Sequence, residues 1–577
     1  MKYSVEKHVQ MLIYLMKQHG VKRVIASPGM KNMPFVASVQ FDPYFQVYSC
    51  VDERSAAYMA FGMAMQSGEP VALSCTGATA SRNYFSALTE AYYNNVPILA
   101  VTSMSHHGDI GHLKPQILDR STQPNDTVRY STEIAPINNS TDAWDVNVRI
   151  NTALLELRRG NGGPVHINLI SENYTDFTGS LLKTRKIFRY TYEDNLPDIK
   201  SKQVAIFIGE HSYFDSKLTS LIDEFCRKYN GVVICDKTSN YYGEYLVFPS
   251  TLNAQVLGRS SIFNTELLIH IGNVSGAYIW ISANRVWRVN ADGEIRDTFR
   301  KLEYVFEMSE KFFFEKYCSK RKNGNNNNYL LRWKGELKKA DPYEIEIPFS
   351  NAWIASRIGD KIDSRGVLFL GILNTLRNWN FFNITNGLEC HSNTGGFGID
   401  GILSTAIGSA LASQDRPHYV VLGDLGFFYD MNSLGNRHLP SNLRIVLINN
   451  GRGIEFRNYR HPSAKFGDDA DAYMAAAGHF GQKSAEFVKH YATDLGLEYI
   501  TASTKEEFLS IENKILSTEP RTKPLLAEIF TTTDDESRAL ELISNMYRDQ
   551  SPKQLAKNIL GENGVKAVKK ILKRTSY

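Results

Sequence analysis

The sequence predicts an α/β protein of three tandem domains, each a parallel sheet flanked by helices. Three observations lead there. Short, nearly continuous apolar runs recur along the chain, helix-length patterns stand between them, and polar stretches interrupt the alternation twice. Runs apolar at every position suit strands covered on both faces, and their alternation with helices suits parallel pairing.

Taken in order, MKYSVEKHVQMLIYLMKQHG reads as an amphipathic helix ending at Gly20. VKRVIASPG (21–29), PVALSCTG (70–77), PILAVTS (97–103) and PVHINLIS (164–171) read as strands of a first domain, 1–183, with QVYSC also strand-like. The polar stretch TRKIFRYTYEDNLPDIKSKQ, 184–203, reads as a linker. VAIFIGE (204–210), GVVICD (231–236), LLIHIGN (267–273) and VWRVNAD (286–292) mark a second domain, 204–322. NGNNNN opens a second expected linker, 323–345. GVLFLG (366–371), HYVVLGD (418–424), RIVLINN (444–450) and PLLAEIFT (524–531) mark a third domain, 346–550. No short-period repeat is present, but the first and third domains read as distant copies of one design. Residues 551–577 form a basic tail with Lys566, Lys569, Lys570, Lys573 and Arg574. A solvated helical face is its plain reading, and contact with a membrane surface or acidic partner the alternative.

The totals narrow the function classes. The 577 residues are 43% apolar and 22% charged, as in ordinary soluble proteins, and the net charge of +4 is too small to argue for nucleic acid. Six cysteines without a CxxC pair read as free thiols of a reducing, cytoplasmic compartment. No signal-peptide core stands at the N-terminus, and no apolar run reaches the roughly 18 residues of a membrane span.

The chemistry lies in GDLGFFYDMNSLGNRHLPSNLRIVLINNG, 423–451. Asp424 follows one apolar run and Asn450 follows the next. In parallel sheets ligands bind beyond the carboxyl ends of the strands. Mg²⁺ takes oxygen ligands, commonly one or two carboxylates plus phosphate oxygens. An Asp, an Asn and a nearby backbone carbonyl meet half of that need, and a diphosphate meets more. Gly423 and Gly426 let the backbone approach phosphates, and a helix starting near Asp430 is expected to point at them. Two ordinary turns after two strands are the competing reading.

This spacing resembles the cofactor motif of the thiamine diphosphate-dependent 2-oxo acid decarboxylase and carboligase family. GIDGILSTAIG (398–408) with GDLGFFYDMNSL (423–434) is similar to the menaquinone-pathway 2-succinyl-5-enolpyruvyl-6-hydroxy-3-cyclohexene-1-carboxylate synthases. So are SPGMKNMP (27–34), VDERSAAYMAFGMA (51–64) and SCTGATASRNYFSALTEA (74–91). The resemblance implies a thiamine diphosphate-binding fold, with pyrimidine and diphosphate domains around a central Rossmann-like one. It implies thiamine diphosphate and Mg²⁺ as cofactors. It also implies a homodimer or homotetramer with active sites at subunit interfaces. Glu53 takes the place of the glutamate that hydrogen-bonds N1′ of the aminopyrimidine, a role that calls for a desolvated carboxyl. A dipole-complementing helix start is the alternative for Glu53. Thr76, Gly77, Ile399, Asp400, Gly423, Asp424, Leu425, Gly426 and Asn450 fall at cofactor positions, Ile399 as the apolar prop. Asp424, Asn450 and the main chain at Arg452 fall at metal positions, in a loop about one residue shorter than the family's.

The substrate side departs from the pattern. Lys31, Ser105 and Thr394 stand where the menaquinone enzymes carry arginines, while Gln116 and Arg377 match catalytic or substrate positions. Losing three arginine forks implies a substrate with fewer carboxylates. Glu455 resembles the position of a catalytic glutamate in the family's decarboxylases. His106, His107 and His112 read as a surface loop, or one of them, such as His107, as a proton-transfer or substrate-binding group, with metal binding by the three a further alternative. The resemblance therefore implies decarboxylation of a 2-oxo acid donor and C–C bond formation with a small-molecule acceptor. The rivals are a decarboxylase releasing an aldehyde and a non-catalytic scaffold of the same fold. A nicotinamide dehydrogenase lacks its GxGxxG here.

Overall fold

The computed structural model describes residues 2–120, 122–212, 214–256, 260–321, 327–478 and 484–546. It contains three parallel-sheet α/β domains flanked by helices, in two compact units. One unit runs to Leu196 and includes Asp292–Glu307; the other holds Pro197–Ala291 and the chain from Met308. The expected basic tail, 551–577, lies outside the described residues.

In the first unit six parallel strands form one sheet: β1 (Arg23–Ala26), β2 (Gln46–Ser49), β3 (Val71–Cys75), β4 (Ile98–Met104), β5 (Tyr130–Ile134) and β6 (Val165–Ile170). Their order is β2-β1-β3-β4-β6-β5. Alternate residues of each run feed opposite cores. Val24, Ala72, Leu99 and Val101 pack on one face, and Ile25, Leu73, Ile98 and Ala100 on the other. That two-sided burial explains the unbroken apolar runs. A short strand, β7 (Phe188–Tyr190), stands within the stretch expected as the first linker.

The second sheet is built from β8 (Val204–Ile208), β9 (Gly231–Cys235), β10 (Leu246–Val247), β11 (Asn264–Ile271) and β12 (Ser282–Val289), in the order β10-β9-β8-β11-β12. The chain then re-enters the first unit, where β13 (Leu302–Phe306) pairs in parallel with β7. The second expected linker also holds regular structure. From its last asparagine a ten-residue helix, Asn328–Leu337, runs with Tyr329, Leu330 and Trp333 buried. The apolar spacing beyond the asparagines outweighs their low-complexity signature.

The third sheet holds β14 (Val367–Leu370), β15 (Glu389–His391), β16 (His418–Gly423), β17 (Leu443–Asn449), β18 (Glu498–Ala502) and β19 (Leu525–Phe530). Its order, β15-β14-β16-β17-β19-β18, repeats that of the first sheet strand for strand. In both, the order reverses beside the first strand of the domain, and such a switch point opens a crevice at the carboxyl edge. All six cysteines are free thiols, five of them buried. Among the described residues no helix is long and apolar enough to cross a membrane.

Candidate functional site

At the carboxyl ends of β14, β16 and β17 lies a cavity of about 100 Å³. Gly423, Asp424, Leu425, Gly426, Asn450 and Ile399 line it, so most of the cofactor positions named from sequence converge there. Asp424 is 2% exposed and opens a seven-residue helix, Asp424–Asp430. That corrects the expected helix start: Asp430 ends this helix. Its carboxylate instead accepts from the Ser404 backbone N–H at 2.7 Å, in the first turn of the helix Ile402–Ala412.

The two asparagines after β17 divide their labour. Asn449 donates to Glu528 Oε1 at 2.7 Å and accepts from Gly451 N at 3.3 Å, which shapes the loop. Asn450 Oδ1 is buried without a hydrogen-bond partner among the described residues. An unmatched buried acceptor costs about 1–3 kcal/mol, so this atom is set to receive a donor or a cation. Together with the Asp424 carboxylate it would suit a hard cation, which takes oxygen ligands. Among the described residues no three His, Cys, Asp or Glu side chains gather as a metal cluster. Arg452 and Gly453 also line the cavity, the Arg452 guanidinium being held by Asp471 Oδ2 at 2.7 Å. Asp400 is exposed and Thr394 is buried in a turn to Ser392 O; neither lines this cavity.

A second cavity, about 410 Å³, adjoins the first, and Leu373 and Glu455 line both. Leu373 holds a left-handed φ of 62° just before the helix Asn374–Asn380, a strained conformation typical of functional sites. Arg377, one helical turn on, donates both terminal N–H groups to the two oxygens of Glu455, each at 2.7 Å. The sequence treats these two residues as separate agents; the fold makes them one bidentate pair.

In the first unit, Thr76 and Gly77 follow β3 and pack tightly. A Cβ on Gly29 would meet Thr76 Cβ at 2.6 Å, and one on Gly77 would meet Arg120 Nη1 at 2.8 Å and Ser103 O at 2.9 Å. Glu53 opens the helix Glu53–Ser67, which Asp52 caps by accepting from Arg54 N and Ser55 N. Half-buried, Glu53 accepts from Asn83 Nδ2 at 3.2 Å. Burial and the Arg120 guanidinium push the Lys31 ammonium below its usual range, against an opposing pull from Asp109. Arg120 itself is buried and pushed down to about 10. The sequence reading missed it, although it lies four residues past Gln116; no periodic or motif signal marks it.

His107 does not stand free. Its Nδ1 lies 3.2 Å from Glu133 Oε1 and its side chain is 58% exposed. Glu133 accepts from Asn168, which accepts from Arg120 at 2.8 Å, so the histidine loop is tied to the Gly77 corner. His106 Nδ1 accepts from Gly108 N, while His112, Gln116 and Ser105 lie on the same loop, Gln116 exposed with φ 63°.

Residues 7–123 match the family described as thiamine pyrophosphate enzyme, N-terminal TPP binding domain. The chain is similar to proteins named 2-succinyl-5-enolpyruvyl-6-hydroxy-3-cyclohexene-1-carboxylate synthase. It is 30% identical to that of Bacteroides fragilis and 29% to that of Bacteroides thetaiotaomicron, covering 93% of this chain and 98% of each relative. Against the Flavobacterium psychrophilum protein the identity is 27%, over 91% and 96%.

Proposed function

This chain belongs to the thiamine diphosphate-dependent enzymes, in the family that holds those synthases, and from that premise we propose that it is a carboligase. With thiamine diphosphate and Mg²⁺ it decarboxylates a 2-oxo acid and joins the remaining acyl carbon to a small-molecule acceptor. The observation that carries this reading is the meeting of the Asp424 carboxylate and the unpartnered Asn450 Oδ1 in one cavity at the carboxyl edge of the third sheet.

When bound, thiamine diphosphate supplies the electron sink that decarboxylation needs. Asp424 and Asn450 would hold Mg²⁺, with the main-chain oxygen near Arg452 as a third ligand. Gly423 and Gly426 leave room for the diphosphate, and Ile399 would support the cofactor by packing. Glu53 would hold a proton against N1′ of the aminopyrimidine. Lys31 beside Arg120 gives the donor carboxylate two cations whose mutual repulsion an anion relieves. In the overall reaction the bond to that carboxylate breaks and CO₂ leaves. The electron pair left on the former carbonyl carbon forms the new bond to the acceptor's electrophilic carbon, and the acceptor oxygen takes up a proton.

Two features support a homodimer or homotetramer that completes the site. Tyr58, Met59 and Met65 are exposed on the helix that begins with Glu53, and Val47 and Tyr48 are exposed on the edge strand β2. Covering this apolar surface with a second copy would also desolvate Glu53. Release of an aldehyde by protonation is the less favoured ending. Both oxygens of Glu455 are engaged by Arg377, and His107 is exposed and paired with Glu133.

The test is CO₂ release by purified protein over a panel of 2-oxo acids including pyruvate and 2-oxoglutarate, with Glu53→Gln alongside. Release should require thiamine diphosphate and Mg²⁺ and fall at least about 100-fold in the variant. Failure to bind the cofactor would sink the reading.

A further inference from the structure

We propose that the 410 Å³ cavity is the acceptor site and that it is built for a neutral, hydroxyl-bearing aldehyde or ketone. This rests on the carboligase reading, which requires an acceptor beside the cofactor. The cavity meets that requirement through Leu373 and Glu455, which face both spaces.

Three residues that line it each carry a buried polar atom without a hydrogen-bond partner among the described residues: Asn380 Nδ2, Asn458 Oδ1 and Ser250 Oγ. These residues are 3%, 3% and 7% exposed. The orientation of both amides follows from their other bonds. Asn380 Oδ1 accepts from the Lys237 backbone N–H at 2.9 Å, so its NH₂ is the spare donor. Asn458 Nδ2 lies 3.5 Å from both Asn374 Oδ1 and Glu455 Oε2, so its carbonyl oxygen is the spare acceptor. The Ser250 hydroxyl serves either role. One donor, one acceptor and one group that is both complement hydroxyls and a carbonyl. A carboxylate, which only accepts, would oppose Asn458 Oδ1.

Charge points the same way. Arg377, which lines the cavity, is neutralised by Glu455 through two hydrogen bonds, so an entering carboxylate would have to displace an internal one. Arg460 is exposed, with Nη1 donating to Ala254 O at 3.2 Å. The rings of Tyr278 and Phe397, 5.8 Å apart, line the cavity as an apolar surface for the C–H face of a hydroxylated chain. Buried groups placed to bond a substrate hydroxyl reject analogues that lack it, because they are then left unpaired.

The experiment uses the full chain with thiamine diphosphate, Mg²⁺ and a donor acid from the CO₂ panel. D-erythrose and D-glyceraldehyde are compared as acceptors with propanal and succinic semialdehyde. The hydroxy-aldehydes should lead in kcat/KM by about tenfold or more. Asn380→Asp keeps the bond to Lys237 N and removes the donor; Ser250→Ala removes one hydroxyl. Each should raise the hydroxy-aldehyde KM about three- to tenfold and narrow the preference over propanal. Preference for succinic semialdehyde, with both variants like the parent, overturns the proposal. Saturation-transfer NMR of D-erythrose on the protein without donor separates the two readings. Erythrose binding that Asn380→Asp weakens, without any CO₂ release, sinks the carboligase reading and keeps the ligand class. CO₂ release without erythrose binding sinks the ligand class alone.

Discussion

Both oxygens of Glu455 are held by Arg377, and this pair offers the clearest single-residue tests. Glu455→Gln removes the internal anion and frees the guanidinium fork. Carboxylated acceptors should then gain, with KM falling about tenfold relative to the parent, since hydrogen bonds between charged partners contribute about 1.5–3 kcal/mol. Steady-state kinetics with succinic semialdehyde reads this directly. Asn450→Ala tests the metal assignment: the apparent Kd for Mg²⁺ in the presence of thiamine diphosphate should rise about 10- to 100-fold, by calorimetry. Asn449→Ala should instead lower the melting temperature, because Asn449 holds Glu528 and the loop.

At the level of elements, the β4–β5–β6 edge carries a pH dependence. His166 on β6 is enclosed by Thr102 on β4 at 2.8 Å and Ser131 on β5 at 2.9 Å. Thr102 donates its own hydroxyl to Asn168, so His166 Nε2 donates to Thr102 and Nδ1 accepts from Ser131, which is the neutral ring. Burial pushes His166 down to about 3, and pushes His19, after the first helix, down to about 4. The unfolded chain protonates these rings below about 6.5 and the folded one does not. Their contribution is therefore fully present above about pH 6.5 and declines as pH falls towards 4, by about 1.4 kcal/mol per pH unit for each ring. Melting temperature against pH should show this slope, and His166→Gln should reduce it by about one proton.

For the whole molecule, the repeated order of the first and third sheets gives two crevices of one design, each with its candidate residues at the carboxyl edge. An uncovered apolar surface beside Glu53 makes assembly testable. Met59→Lys should shift sedimentation towards the monomer and lower specific activity most at low protein concentration, with activity partly restored as concentration rises.

The sequence by itself determined the buried strands, the family and which residues meet at the candidate cofactor edge. Those signals are local: an apolar run buried on both faces reads the same in any tertiary setting, and Gly423-Asp424 and Asn449-Asn450 sit directly on the strands that position them. Weaker elements escaped it. The strands β5, β10 and β18 are short or partly polar, and the helix Asn328–Leu337 hides behind asparagines. Only the tertiary structure decided that Arg377 and Glu455, 78 positions apart, are one ion pair. Only it brought Ser250, Asn380 and Asn458 to one wall, and Arg120 to Gly77. These contacts join residues far apart in the chain, and each side chain's meaning depends on whether its hydrogen bonds are already taken. That accounting exists only once the chain has folded.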